Sequence, residues 1–404
     1  MKHILTFFSL TLIFNCFAQI DTVSVMYYNI LNFPSEEPTR VDTLRKIVRY
    51  VEPDLLLVNE LESLYGTNQI LNFAMNTDGV THYSAAAFYN GPDTDNMLFY
   101  NSEKFGLIQQ FQISTSLRDI SEYHLYYKEP NMNASTDTVY LWAYSCHLKA
   151  GSFQSDEDQR AVEATQFKNY LDNLNRSGNL IFGGDFNMYT SAEAACQTIL
   201  NDGTVQFKDP INLLGSWNNN SFYQNIHTQS TRASSGGFAG GSSGGLDDRF
   251  DIIFATDDIL QGNQRLTYLT GSYKSVGNDG NHFNGNINSG TNSAVPQDIA
   301  NALFYCSDHL PVYMEMVIEG TVGVQEYSNV VSSVFYNSQD NSLQIRLKEE
   351  VNVNEVNVFD LSGKMVYATS LNSLVIAMPV LQSGVYLAKI DTQKGSGTVK
   401  FIVE

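Results

Sequence analysis

Apolar residues between positions 22 and 319 follow two patterns that alternate along the chain. Short, nearly all-apolar runs, typical of strands covered on both faces, occur at 23–31, 54–61, 97–101, 139–148, 179–187, 250–257 and 310–318. Between them, apolar residues recur at helical spacing before Pro53 and again over 156–174, where Gly178 closes the segment. Strands that alternate with amphipathic helices predict one large α/β unit whose helices cover the sheet faces.

Two polar segments interrupt this alternation. The glycine- and serine-rich run at 234–245 predicts a flexible segment. The stretch at 275–292 is dense in glycine and asparagine, which is typical of a long surface loop. A loop of this length is either a functional lid or a disordered insertion, and the sequence leaves both open.

The last ~75 residues have a different pattern, consistent with a separate small module at 330–404. Short strand-like runs are separated by turns at Gly363, Gly384 and 395–397, and helical periodicity is missing from the sequence there. This pattern predicts a small β-sandwich, in which no residue cluster suggests chemistry.

The first residues read as an export signal. Lys2 precedes an apolar run at 4–14, and Cys16-Phe17-Ala18 forms a small-x-small cleavage pattern, which predicts a signal peptide over 1–18. The alternative is a buried N-terminal strand. Lipid anchoring is disfavoured because no small residues stand just before Cys16, and no internal stretch reaches the roughly 18 apolar residues of a membrane span.

Composition and charge narrow the class of protein. Apolar content of 43% and charged content of 16% are those of a globular protein. The net charge of −20 becomes −21 without the signal, because Lys2 is lost and no acidic residue is. Such a charge argues against broad electrostatic binding to nucleic acid, although bound cations or a local basic patch can offset it.

The cysteine pattern excludes two kinds of framework. Cys146, Cys196 and Cys306 remain after signal cleavage, an odd number without a CxxC motif, so a disulfide scaffold or a zinc cluster is not expected. One bridge stays open as an alternative to three buried thiols.

Polar residues stand where the strand-like runs end, the place where α/β enzymes commonly carry their sites. They are Asn29, Glu60, His147, Asp185, Asn187, Asp251, Asp308 and His309. Each alone fits a turn, a cap or a surface position. Together they supply carboxylates suited to Mg²⁺, histidines able to move protons near neutral pH, and amides able to orient phosphate or water.

In order and spacing, Asn29, Glu60, His147, GDFN (184–187), RFDIIF (249–254) and SDH (307–309) resemble the endonuclease/exonuclease/phosphatase superfamily. That superfamily includes DNase I-like nucleases, abasic-site endonucleases, sphingomyelinases and inositol polyphosphate phosphatases. The resemblance implies a four-layer α/β sandwich over 19–320, with two packed β-sheets flanked by helices. It also implies a metal-dependent phosphoesterase that uses Mg²⁺ or Mn²⁺, with Ca²⁺ also open.

The resemblance assigns a role to each matching position. Glu60 and Asp308 would be metal ligands, with Asn29 near the metal and phosphate. Asp185 and Asn187 would orient the attacking water and the phosphate, and His309 would contact phosphate or act as acid/base, held in its tautomer by Asp251. His147 would donate to the phosphoryl oxygens or the leaving group.

Two details of the pattern remain open or depart from it. The superfamily places a partner for His147 near Asp95 or Asn96, just before the run at 97–101. Its arginine two residues after the glutamate is replaced here by Glu62, so a DNA contact made through that arginine cannot be assumed.

The C-terminal module has a resemblance of its own. VNVFDLSGKMVY (356–367), SGVYLAKI (383–390) and KFIVE (400–404) resemble the C-terminal sorting domain of the Bacteroidetes type IX secretion system. This implies the type IX machinery as a partner and a secreted or cell-surface location. A carbohydrate-binding or adhesion sandwich is the competing interpretation.

Three functions are therefore compared. The first is an extracellular nuclease with nucleic acid as its substrate. The second is a phosphoesterase of the same fold acting on phospholipid headgroups, inositol phosphates or small phosphodiesters, which the acidic charge favours. The third, a non-enzymatic binding protein, is disfavoured because every matching metal and proton-transfer position is intact. The nuclease is the first hypothesis.

Overall fold

The structure of the chain is a computed structural model that describes residues 20–34, 39–128, 138–234, 240–319, 331–348, 350–370, 372–393 and 395–403. Its elements form two compact units, one between Ile20 and Glu319 and one between Val331 and Val403. The predicted signal peptide at 1–18 lies outside the described residues, as does 235–239 of the glycine-rich run.

The first unit contains two β-sheets. Their strands are β1 (Ile20–Phe33), β2 (Leu55–Leu61), β3 (Tyr83–Ala85), β4 (Asp95–Asn101), β5 (Phe105–Ile113), β6 (Ile120–Tyr127), β7 (Tyr140–His147), β8 (Leu180–Asp185), β9 (Phe207–Lys208), β10 (Asp251–Thr256), β11 (Leu266–Tyr268), β12 (Lys274–Ser275) and β13 (Val312–Glu319). One sheet has the order β11-β13-β1-β2-β4-β3, with β12 also paired to β13. The other has the order β5-β6-β7-β8-β10-β9. Both sheets are mixed, because β1 is parallel to β2 and β7 is parallel to β8.

Alternation along the strands explains the layers. Ile253, in the second sheet, packs into the core that also contains the residues of the first sheet, whereas its neighbours Ile252 and Phe254 pack into a second core beneath helices. The sheets approach closely where the Tyr27 hydroxyl donates to the Tyr144 carbonyl at 3.0 Å. Gly183 permits this approach, since a Cβ there would lie 2.7 Å from the Tyr27 ring.

Helices cover the outer face of each sheet. They are α1 (Arg40–Val51), α2 (Leu64–Gln69) continued by a π-helical segment (Ile70–Met75), α3 (Gln154–Asn173), α4 (Ala194–Asn201), α5 (Asp257–Gln261) and α6 (Gln297–Cys306). Leu44 of α1 and Leu303 of α6 pack with the first sheet, and Phe167 of α3 with the second. The predicted four-layer α/β sandwich is confirmed.

The predicted helix before Pro53 is α1, which ends at a left-handed Glu52. The long helix predicted at 156–174 is α3. Among the helices of the described residues, none combines the length and the apolar content that a membrane crossing requires.

The stretch at 275–292 is packed against its neighbours, so disorder there is wrong. Ile287 is fully buried, and its amide donates to the Thr231 carbonyl at 2.9 Å. The Asn292 side chain donates to the Gly277 carbonyl at 2.8 Å. Cys146, Cys196 and Cys306 are buried free thiols, as the sequence favoured.

The second unit is the predicted β-sandwich. Its strands are β14 (Val331–Asn337), β15 (Ser342–Leu347), β16 (Val353–Asp360), β17 (Met365–Thr369), β18 (Val375–Ala377), β19 (Gly384–Thr392) and β20 (Gly395–Val403). They form sheets of order β14-β15-β18 and β17-β16-β19-β20 around one apolar core, which includes Leu343, Val356 and Ile390.

Candidate active site

Parallel strands bring the polar strand-end residues to one edge of each sheet. β1 and β2 are parallel neighbours in which Asn29 is in register with Asn59, so Glu60 follows one residue further along β2 and its side chain reaches Asn29. β7 and β8 are also parallel, and His147 is in register with Asp185. Asp251 begins the antiparallel β10 and is in register with Asp185 from the other side. Because the two sheets pack face to face, these two rows meet.

Asn29 joins the two rows at the centre of the site. Its side-chain amide nitrogen donates to Glu60 Oε1 at 2.8 Å and to Asp185 Oδ2 at 3.0 Å. The other Glu60 oxygen accepts from the Asn32 amide at 2.9 Å. Glu60 has a left-handed backbone with φ of 62°, uncommon for glutamate and typical of functional positions.

Glu60, His147 and Asp185 form a group whose potential ligand atoms all lie within 4.8 Å of one another. The His147 Nε2 atom is 3.5 Å from Asp185 Oδ2 and 3.8 Å from Glu60 Oε1. Burial raises the pKa of Glu60, and it raises the pKa of Asp185 to about 7, with added repulsion from Asp251 and Glu60. Two buried carboxylates and an imidazole that face one another fit a divalent cation.

His309 and Asp251 form a second functional pair. His309 Nδ1 lies 2.7 Å from Asp251 Oδ2, and the Asp251 amide donates to Thr228 Oγ1 at 3.0 Å. Burial by itself lowers the pKa of His309, but the carboxylates of Asp251, Asp185 and Asp308 outweigh it and hold that pKa well above its ordinary value. The Nε2 atom is directed towards the centre, 3.6 Å from Asp185 Oδ2.

Asp308 lies outside the group of described residues whose ligand atoms are all within 4.8 Å of one another, but its negative charge acts on Glu60 and raises the pKa of that carboxyl. Its Oδ2 accepts from the Ser242 amide at 2.6 Å and from Gln229 Nε2 at 3.2 Å. The carboxylate is therefore already engaged by N–H donors of the protein. Ser242 belongs to the glycine-rich run, so the described part of that run packs against the site.

The partner expected for His147 is not where the pattern suggested. Asn96 accepts from Asn59 at 2.6 Å and donates to the Ser145 and Asp119 carbonyls. Asp95 accepts from the Gly91 amide at 2.7 Å. Among the described residues, His147 Nδ1 has no hydrogen-bond partner. Burial lowers the pKa of His147 well below its ordinary value, with Arg118 and His309 adding to the effect.

Asn187 lies beside this cluster and is fixed by two bonds. Its backbone amide donates to Asp185 Oδ1 at 3.0 Å, and its side-chain nitrogen donates to the Leu148 carbonyl at 3.1 Å. Its backbone is left-handed, with φ of 52°. The turn after β8 therefore holds the carboxylate of Asp185 in place.

Two further contacts were not foreseen from the sequence. Gln229 Nε2 lies 2.7 Å from His309 Nε2. Asn59, fully buried beneath the site, accepts from the Asp185 amide at 3.3 Å and donates to Asn96. Asn59 precedes Glu60 at a strand end, which is a signal that could have indicated it. Gln229 stands in a polar run without periodicity, and no sequence signal marks it.

The C-terminal unit matches a known family. Residues 333–404 match the family described as "Secretion system C-terminal sorting domain". The chain therefore carries a tail for type IX export to the cell surface or the extracellular space. Among curated proteins, none matches this chain.

Solved structures similar to this chain are distant from it in sequence. A Danio rerio TDP2 complexed with single-strand DNA product is 14% identical, with a TM-score of 0.48 over 73% of this chain and 98% of that one. A truncated Caenorhabditis elegans TDP2 is 16% identical, with a TM-score of 0.46 over 73% and 97%. An endonuclease/exonuclease/phosphatase from Bacteroides vulgatus is 14% identical, with a TM-score of 0.47 over 74% and 100%.

Proposed function

We propose that this chain is an exported, metal-dependent phosphoric ester hydrolase of the endonuclease/exonuclease/phosphatase superfamily, and that it hydrolyses phosphodiester bonds of nucleic acid. One observation carries the proposal. Residues from motifs far apart in sequence meet where the strand ends of the two sheets face each other, and there Asn29 bonds both Glu60 and Asp185, and His309 bonds Asp251. A folding requirement alone does not explain why so many costly buried polar groups are gathered there.

The donor set indicates which residues would hold a cation. Glu60, with Asp185 in reach, would bind Mg²⁺ or Mn²⁺, and Ca²⁺ also suits the carboxylate oxygens. When bound, such a cation neutralises phosphate charge and stabilises the developing charge on the leaving oxygen. Asp308 is a ligand only if its bonds to Ser242 and Gln229 are exchanged for the cation.

The other residues have roles that follow from their contacts. Asp251 holds Nδ1 of His309, so Nε2, which also lies beside Gln229, is the atom that takes or gives a proton near the phosphate. Asp185, fixed by the Asn187 amide, orients the attacking water. His147 directs Nε2 towards the same centre and donates to a phosphoryl oxygen or to the leaving group.

A phosphoesterase acting on a lipid headgroup or a small phosphodiester is the second candidate. The charge around the site favours it, because two cations close to His147 are already paired with acids. Arg118 lies 2.9 Å from Asp93, and Lys149 lies 3.1 Å from Asp156. In a chain of net charge −20, these pairs leave little positive surface for a long polyanion.

The deciding experiment measures hydrolysis by the purified mature chain. Plasmid DNA, RNA, sphingomyelin vesicles and bis-p-nitrophenyl phosphate are offered with Mg²⁺, Mn²⁺, Ca²⁺ or EDTA. We expect the wild-type protein to nick plasmid DNA, and we expect EDTA or His309→Gln to abolish the nicking. His82→Gln, which changes a residue just before β3 and outside the site, should keep full activity. Turnover of only the lipid or the small diester selects the second candidate. A folded protein without turnover on any substrate contradicts the enzymatic proposal.

A further inference from the structure

Gln229 contacts two residues of the proposed site at once. Its side-chain nitrogen lies 2.7 Å from Nε2 of His309 and 3.2 Å from Oδ2 of Asp308. Gln229 is half-buried, whereas Asp308 and His309 are almost fully buried. The partly exposed Gln229 side chain therefore contacts the two consecutive buried residues that the SDH motif contributes.

The backbone around Gln229 is fixed from both sides. The Gln229 carbonyl accepts from the amides of Asp247 and Asp248, both at 2.9 Å. On the other side, the Leu310 amide donates to the Thr228 carbonyl at 2.7 Å, and the Thr231 amide donates to the Asp308 carbonyl at 3.0 Å. The segment 228–231 is thus held between the residues just before β10 and the SDH motif, and this fixes the backbone from which the Gln229 side chain extends.

The chemistry of an amide suits this place. The nitrogen carries two N–H bonds, so one group can donate to the imidazole and to the carboxylate simultaneously. Donation to Nε2 requires a ring whose proton is on Nδ1, the nitrogen that faces Asp251, whereas a doubly protonated ring is contacted through the amide oxygen instead. With Asp251 at Nδ1, the His309 ring is then held at both of its nitrogens. Groups that hold a ring or ligand in one orientation are needed for a productive site.

We propose that Gln229 is a positioning residue, which fixes the imidazole of His309 and the carboxylate of Asp308 relative to each other. This inference rests on the proposed hydrolase function, and it adds a residue that the superfamily resemblance did not assign. It follows that a side chain with only the shape of glutamine would not support full activity. Its hydrogen bonds are required, and they act on the chemical step more than on substrate binding.

Gln229→Met tests this because methionine keeps the length and volume of the side chain but removes both hydrogen bonds. We expect kcat for the substrate that the wild-type protein hydrolyses to fall about 10–100-fold, as for other orienting partners, with KM and the thermal midpoint little changed. Gln224→Met is the matched control, since Gln224 lies five residues earlier and touches neither Asp308 nor His309. It should keep wild-type kcat. Gln229→Glu, of equal length but unable to donate, is a second variant in case the methionine variant does not fold.

A second readout does not require activity. In metal-free protein labelled with ¹⁵N-histidine, the His309 Nε2 resonance, identified by its loss in His309→Gln, should move in Gln229→Met and stay in place in Gln224→Met. Wild-type kcat in Gln229→Met, a rise confined to KM, or an unmoved resonance would overturn the inference. A wild-type protein without turnover contradicts the proposed hydrolase instead, and the resonance then decides by itself whether Gln229 holds His309.

Discussion

The two units of the chain bury polar groups in different ways. The unit at 20–319 buries charged side chains completely, among them Asp185, Asp251 and Arg249. In the described part of the C-terminal sandwich, the buried polar residues are Ser342, Asn357 and Thr392, all neutral. Because an unpaired buried charge is costly, the first unit must compensate for its buried charges. The kind of compensation distinguishes charged residues that stabilise the fold from those that serve the site.

Buried charges in the first unit are of two kinds. Arg249 and Asp209 form a closed pair with two bonds, at 2.8 and 2.9 Å, and burial is outweighed there so that the pKa of Asp209 is lowered. In the site, Glu60 and Asp185 face each other instead, and burial raises both pKa values. A closed pair holds the fold, whereas carboxylates that repel one another mark the place for a cation.

Removing a carboxylate from the site should give the largest effect on activity. Glu60→Gln keeps the shape but removes the charge that would hold the cation, so we expect metal-dependent hydrolysis to fall about 10³-fold or more. Calorimetric titration with Mn²⁺ should show weaker binding, while the thermal midpoint stays equal or rises. Glu62→Gln, two residues later, is the control. Unchanged Mn²⁺ affinity in Glu60→Gln would contradict the assignment of Glu60 as a ligand.

Opening the closed pair should affect stability. Arg249→Met leaves Asp209 buried without its partner, so we expect the free energy of unfolding to fall by about 3–5 kcal/mol. Since the folded-state pKa of Asp209 is lowered, the pair's contribution is present above the unfolded pKa of about 4 and is lost as pH falls through the folded value. Urea unfolding at pH 7 and below pH 4 measures both. If the free energy of unfolding of Arg249→Met equalled that of the wild type at both pH values, the pair would contribute nothing to stability.

Loosening the orientation of His309 should have a smaller effect than loss of the cation. Asp251→Asn keeps a group beside Nδ1 but removes its charge, and we expect kcat to fall about 10²-fold with the fold intact. Asp247→Asn, near the same strand but half-buried, serves as the control. If both variants fall equally, the loss reflects the surrounding loop and not the His309–Asp251 pair.

The apolar pattern predicted an α/β unit whose helices cover the sheet faces, and it placed the candidate residues at strand ends, for reasons that are local; the four layers were implied by the family resemblance. Apolar runs that end in Asn29, Glu60 or Asp185 identify both a strand and the edge where it stops, so topology then brings the residues together. Arrangements that depend on tertiary contacts were not accessible. The engagement of Asp308 by Ser242 requires knowing how the glycine-rich run folds back.

The same limit explains the other differences. The sequence places Asp95 and Asn96 next to a strand end, but it does not specify that the side-chain oxygen of Asn96 accepts from Asn59. Nor does it show that, among the described residues, His147 Nδ1 has no hydrogen-bond partner. The sequence does not identify Gln229 for the same reason, because its contacts depend on the hydrogen bonds of 228–231 with two distant segments. Periodicity reports burial of one element against another, whereas these contacts are single hydrogen bonds between loops.

Removal of the sandwich should have the smallest effect on catalysis. The apolar cores of the first unit contain no described residue beyond Ile318, and the core of the sandwich contains none before Val331. Each unit is therefore stabilised by its own burial. A chain that ends at residue 320 should hydrolyse the same substrate with kcat and KM within about twofold of the full mature chain, because no site residue lies in the removed part.

Removal of the sandwich should instead abolish export of the chain. In the native host, the truncated chain should accumulate inside the cell envelope, whereas the full chain reaches the medium or the surface, as its sorting domain requires. Leu343→Ala, which opens a cavity in the core of the sandwich, tests the same separation without shortening the chain. If that substitution lowered kcat while export continued, the sandwich would contribute to catalysis, and the division between a chemical unit and a targeting unit would have to be abandoned.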